Sequence, residues 1–144
     1  MISRIVQHVR IVTAQQAHVR KRARSLLERG FDGTSVEEVA ARDDPTAHAV
    51  VLALREAAKR LGTRSLSGLT VFTTVEPCAM CVGALLEADA DCLVYALSDP
   101  VAGAAGSVVQ LANNPALPRR LDLISGILRS DAAELAEVAV RREP

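Results

Sequence analysis

The chain has 144 residues, a formal net charge of zero and a sequence pI near 6.8. That length suits one domain with a core of its own, and the balanced charge excludes a global attraction to nucleic acid or to a membrane surface. Hydrophobic residues make up 49% of the chain but aromatic residues only 2%, so the core must be aliphatic, built from Val, Leu, Ile and Ala.

The first 24 residues carry Arg4, Arg10, Arg20, Lys21, Arg22 and Arg24 and no acidic residue. Such a start has the composition of an organelle transit peptide or a nucleic-acid arm, and a solvated helix face is the simplest account of it. His8 and His18 have no partner at ligand spacing. Residues 9–13 alternate weakly and read as a strand, 14–29 as a helix closed by Gly30, and 36–42 as a short helix capped by Gly33-Thr34-Ser35. Asp44-Pro45-Thr46 reads as the N-cap and first turn of a helix that continues from Ala47 through Leu54.

Residues 69–75 are β-branched and alternating, as a central strand requires, and they feed directly into Pro77, which suits the first turn of a helix running to Ala88. Residues 91–97 form the next strand, and the helical crossover makes the two strands parallel. Cys92 in that run reads as a small core residue. A glycine- and alanine-rich loop covers 98–107. Asn113-Asn114-Pro115 reads as the end of a short helix, 121–124 as a last strand and 131–142 as a closing amphipathic helix. No stretch is long or apolar enough to span a bilayer and no secretory core is visible, which together with an odd count of three cysteines predicts a cytoplasmic protein with no membrane partner.

The chemistry concentrates in His48, Cys78 and Cys81. A histidine and a Cys-x-x-Cys pair give zinc three protein ligands and leave the fourth tetrahedral position for water, the layout of a catalytic site. Spacing of i and i+3 puts both sulfurs on one side of a helix start, where the helix dipole favours the thiolate that binds metal. Cys-x-x-Cys alone is shared with redox and structural zinc sites, but a proline before the first cysteine and an upstream Thr-Ala-His-Ala narrow the reading.

Asp44-Pro45-Thr46-Ala47-His48-Ala49, Glu76-Pro77-Cys78-Ala79-Met80-Cys81-Val82-Gly83-Ala84 and Gly103-Ala104-Ala105-Gly106-Ser107 resemble zinc-dependent deaminases of the cytidine and deoxycytidylate deaminase superfamily, in particular bacterial tRNA adenosine deaminases and related nucleoside deaminases. The resemblance covers residues 43–140. It implies a cytidine-deaminase-like three-layer α/β/α sandwich with a mixed sheet, zinc held by His48, Cys78 and Cys81, and hydrolytic removal of an exocyclic amine from a nucleobase, a nucleoside or a tRNA adenosine. It also implies a homodimer, and it places Asp99 where relatives have an acidic residue near the nucleic-acid strand.

Two departures matter. Where the family carries the glutamate of His-x-Glu, this chain has Val50. In the family that carboxylate takes a proton from the attacking water and delivers it to the ring and the leaving amine, which valine cannot do. Glu56 lies about 12 Å along the helix from His48, too far to substitute. Glu76 is a weak candidate for a substitute acid, or else helps to start the cysteine helix. The chain is therefore expected to be either a deaminase of reduced activity or an inactive zinc-binding homologue that binds a nucleoside or a protein.

The second departure lies at the amino terminus. The β-hairpin that precedes the histidine helix in the family is replaced by a helical segment, so the chain divides into an atypical basic segment, 1–42, and a deaminase-like domain, 43–144. Residues 23–40 resemble the first two helices of a tetracycline-repressor-type DNA-binding domain. The recognition helix should follow Ala40, but Asp43-Asp44-Pro45-Thr46 takes its place, so DNA binding is not expected.

Overall fold

Strand Leu69–Val75 is buried along almost its whole length in the computed structural model, which describes residues 9–13 and 39–141. A strand covered on both faces reads as a continuous apolar and β-branched run, and Leu-Thr-Val-Phe-Thr-Thr-Val meets that requirement. It is β2 of a four-stranded sheet ordered β1-β2-β3-β4, with β1 Val9–Thr13, β3 Cys92–Leu97 and β4 Asp122–Ser125. β2, β3 and β4 run parallel, with Val71 opposite Leu93 and Val94 opposite Ile124. β1 runs antiparallel to β2, from Val9 opposite Thr73 to Thr13 opposite Leu69. The sheet is therefore mixed, and the amino-terminal strand supplies a neighbour that keeps β2 from being an edge.

The period of two sorts the strands between two cores. Val71, Leu93 and Tyr95 join Ala49, Val50, Ala53, Leu54, Cys81, Val82 and Leu85 in the larger core, so helices α2 (Ala49–Leu61) and α3 (Ala79–Glu87) cover that face. Phe72, Cys92 and Val94 point the other way and gather Ile124 and Ile127. Helix α4 (Arg129–Arg141) packs against β3. These three layers are the cytidine-deaminase-like sandwich, with an aliphatic core as the composition requires. Cys92 is buried at 4% exposure.

Several sequence expectations need correction. The histidine helix does not begin at Asp44. The Asp44 carboxylate accepts hydrogen bonds from the Thr46 backbone N–H (2.8 Å) and hydroxyl (2.7 Å), which hold its pKa below the ordinary value and close a turn. α2 starts only at Ala49, with His48 as N-cap at φ −67°, ψ 145°. It ends on Gly62 in the left-handed region at φ 65°, where the glycine N–H meets the last carbonyls. Likewise Pro77 precedes the N-cap, which is Cys78.

No helix ends at Asn113-Asn114-Pro115. Asn114 and Leu117 make successive turns through their N–H groups, and Asn114 Oδ1 accepts from Ala116 N–H, so the asparagine holds a loop. Of the expected 36–42 helix the structure describes α1, Val39–Arg42. The expected helix at 14–29, Phe31 and most of the repressor-like stretch lie outside the described residues. Among the described residues no helix is long and apolar enough to cross a membrane.

Candidate metal centre

Both helices that cover the larger core point their N-termini at one spot, and each places a potential metal ligand there as its N-cap: His48 on α2 and Cys78 on α3. Neither side chain caps its own helix, so both are free to face a third group. One turn into α3, Cys81 completes the set. The sulfurs of Cys78 and Cys81 each lie 3.6 Å from His48 Nδ1, and all three donor atoms fall within 4.8 Å of one another. Tetrahedral zinc, with Zn–S of about 2.3 Å and Zn–N of about 2.0 Å, holds nitrogen and sulfur about 3.5 Å apart, so the donor set fits the ion in kind and in spacing. His48, Cys78 and Cys81 form a potential zinc site.

Burial and electrostatics agree with that fit. Cys81 is fully buried, while His48 and Cys78 are half-buried, which leaves one side of the site open. The Cys78 thiol is lowered to about 5 by its hydrogen bond with the Cys81 side chain, against burial, and further by the backbone N–H groups of Cys81 and Met80 and by His48. A thiol so placed is a thiolate at neutral pH, the form that ligates. No carboxylate belongs to the set among the described residues.

The position that carries the shuttle glutamate in the resemblance is closed to solvent. Val50 is 0% exposed, in the first turn of α2, and belongs to the same buried core as Cys81 and Ala104. Glu56 points elsewhere and pairs with Arg60 at 2.6 Å on the exposed side of α2.

Glu76 is 1% exposed, and its carboxylate is taken up by the loop that follows β3. Oε2 accepts from Asp99 N–H (3.0 Å) and from the Ser107 hydroxyl, and Oε1 accepts from Ala105 N–H (2.9 Å) and Ser107 N–H (3.0 Å). Burial, and secondarily the charge of Glu76, push the Tyr95 hydroxyl above its ordinary value. Asp99 spends its own carboxylate on Val101 and Ala102 N–H, closing a turn at the loop's start. Sequence reasoning read 98–107 as a glycine- and alanine-rich loop and missed Asp99, Ala105 and Ser107 as donors to Glu76. The available signal was a glutamate wedged between a buried strand and a proline, which needs donors, and a glycine-rich loop that offers bare N–H groups.

Gly103 explains one of those glycines. A Cβ there would lie 2.5 Å from the Asp99 carbonyl oxygen and 2.5 Å from Glu76 Cδ and Oε2. Because the obstacles are backbone and a pinned carboxylate, Gly103→Ala is expected to cost about 1–3 kcal/mol, as overpacking does. Urea unfolding of the variant checks this, and an unchanged midpoint would refute the close approach.

The family model described as the cytidine and deoxycytidylate deaminase zinc-binding region matches residues 8–97, more than half of the chain. The tRNA-specific adenosine deaminase of Haemophilus influenzae is 34% identical over 112 residues, which are 78% of this chain and 62% of that protein. The tRNA(Ile)-lysidine synthase of Deinococcus deserti is 51% identical over 71 residues, 49% of this chain but only 13% of that protein. The chain thus spans less than two thirds of the length of these curated relatives. A solved structure from biochemical and structural studies of A-to-I editing by tRNA:A34 deaminases at the wobble position of transfer RNA matches with a TM-score of 0.72 at 29% identity, covering 90% of this chain and 83% of that one. With three zinc donors converged on two helix starts beside a mixed sheet, and with this match over residues 8–97, the chain belongs to the zinc-binding family of cytidine and deoxycytidylate deaminases.

Proposed function

We propose that this protein holds zinc in a deaminase-type site that receives the exocyclic amine of a nucleobase, with adenosine in tRNA as the first candidate, and that it turns the ligand over slowly or not at all. The observation that carries this reading is the fully buried Val50, the second residue of α2 after the ligand-bearing N-cap. Zinc, when bound, supplies a Lewis acid that acidifies a water molecule. The chain must supply the proton carrier, and the nearest carboxylate in sequence, Glu76, has its oxygens committed to Asp99, Ala105 and Ser107.

tRNA as ligand rests on the names of relatives. The described aromatic side chains do not add to it, since Phe72 and Tyr95 are buried in strands at 7% and 6% exposure and cannot stack on a base. A homodimer is supported by apolar side chains left open near the site, Met80, Val101, Val108 and Val109. Cys78, Cys81 and Cys92 form no disulfide, which suits the reducing cytoplasm.

The test is metal content and ammonia release on one purified sample offered adenosine, cytidine, guanine and a tRNA anticodon stem-loop. About one zinc per chain without ammonia is expected. Rapid ammonia release that His48→Ala abolishes would overturn the claim of slow turnover and establish the enzyme reading instead.

A further inference from the structure

We propose that Glu76 is a positioning residue of the metal centre: its carboxylate locks the 99–107 loop against the segment that carries Cys78, and so sets where that ligand stands. The proposal rests on the metal reading of His48, Cys78 and Cys81.

A carboxylate taken out of water is costly unless its lone pairs are met. Here they are met from both ends of one loop. Asp99 N–H donates at the loop's start, Ala105 and Ser107 N–H at its end, and the Ser107 hydroxyl adds a further donor. Hydrogen bonds to an ionised group are about twice as strong as neutral ones, so one side chain ties together a segment that has no regular structure to hold it.

The lock reaches the ligand through backbone. Gly103, on the crown of the loop and in contact range of the carboxylate, pairs as an isolated bridge with Cys78, and Ala104 N–H donates to the Pro77 carbonyl at 2.9 Å. Glu76 N–H in turn donates to the Leu97 carbonyl at 2.8 Å, which fixes the residue to the end of β3. A continuous path therefore runs from the sheet through Glu76 and the loop to the N-cap of α3. None of the donors to this carboxylate belongs to α3 itself, so the residue acts on the ligand through the loop.

Glu76→Gln tests the inference in the full chain. The shape is kept, but an NH₂ donor must then face an N–H donor. Three quantities are read: the visible absorption of the Co²⁺-loaded site, zinc affinity in competition with a chromophoric chelator, and amide hydrogen exchange across 99–107. Expected are a changed Co²⁺ spectrum, zinc affinity weakened about tenfold or more, as for other residues that orient metal ligands, and faster exchange in the loop. A folded Glu76→Gln protein with the native Co²⁺ spectrum and native zinc affinity would overturn the proposal.

Should Glu76→Gln fail to fold, Ser107→Ala removes one hydroxyl from an exposed residue. A severalfold loss of zinc affinity with a changed Co²⁺ spectrum supports the lock, and native values overturn it. An unmodified chain that takes up no Co²⁺ overturns the metal reading and with it the reach of Glu76 to the ligand. Loop exchange then judges the lock separately, because unchanged exchange in Glu76→Gln overturns it with or without metal.

Discussion

Val50→Glu is expected to raise ammonia release from the preferred nucleobase by about 10²–10⁴-fold, the usual contribution of a positioned general acid or base. Val50 occupies the second helical position of α2, directly after the N-cap His48 and Ala49, so a carboxylate introduced there starts from the backbone that carries a metal ligand. The helix N-terminus favours its charge by about 0.3–1 kcal/mol. Against this, the valine is fully buried, and its removal forfeits about 1.5–3 kcal/mol of apolar burial. The variant should therefore gain rate while melting at a lower temperature. Val50→Gln is the control: it has nearly the same shape and loses the same apolar contacts, but carries no titratable proton and should gain no rate. Were the unmodified chain as fast as Val50→Glu, a proton carrier outside position 50 would have to exist and the proposed loss of turnover would be wrong.

Stripping the metal is expected to lower the melting temperature by on the order of 10 °C. Free zinc at a thousandfold excess over its dissociation constant adds about 4 kcal/mol to the folded state, and each kcal/mol moves the midpoint of a chain of this size by about 2–4 °C. The two helices concerned carry Ala49, Val50, Ala53 and Leu54 on one and Cys81, Val82, Leu85 and Leu86 on the other, so loosening their starts reaches the main core. Cys81→Ala, His48→Ala and the chelator-treated chain should melt together, and added zinc should rescue only the last. Differential scanning calorimetry with parallel metal analysis decides the matter. A melting temperature indifferent to proven metal loss would show that the three donors converge for packing alone.

Legibility varied with how far each residue's partners lay along the chain. β2 and β3 could be read directly because both are short apolar runs bounded by turns, and a strand buried on both faces needs nothing else. The metal set was legible because a Cys-x-x-Cys at a helix start has few alternative uses once a histidine of the right context precedes it. Asp44 misled because the same side chain that can cap a helix can close a turn, and Thr46 offered it two donors within two residues. The weak alternation of 9–13 acquires meaning only through its pairing with β2, some sixty residues later. Glu76 shows the limit most plainly. Beside proline and cysteine it suggests either a helix start or a spare acid, and the loop that absorbs its carboxylate begins 23 residues further on.

The arrangement around Glu76 has an evolutionary corollary. No side-chain atom at position 50 takes part in the hydrogen bonds that hold the 99–107 loop, nor is it one of the three metal donors. A carboxylate at position 50 and the hydrogen bonds of the loop are thus encoded at separate positions, and valine and glutamate codons can differ by a single base. A lineage can lose or regain that carboxylate in one mutational step while the three donors and the loop contacts of Glu76 stay as they are, the cost falling on the apolar burial of one core side chain.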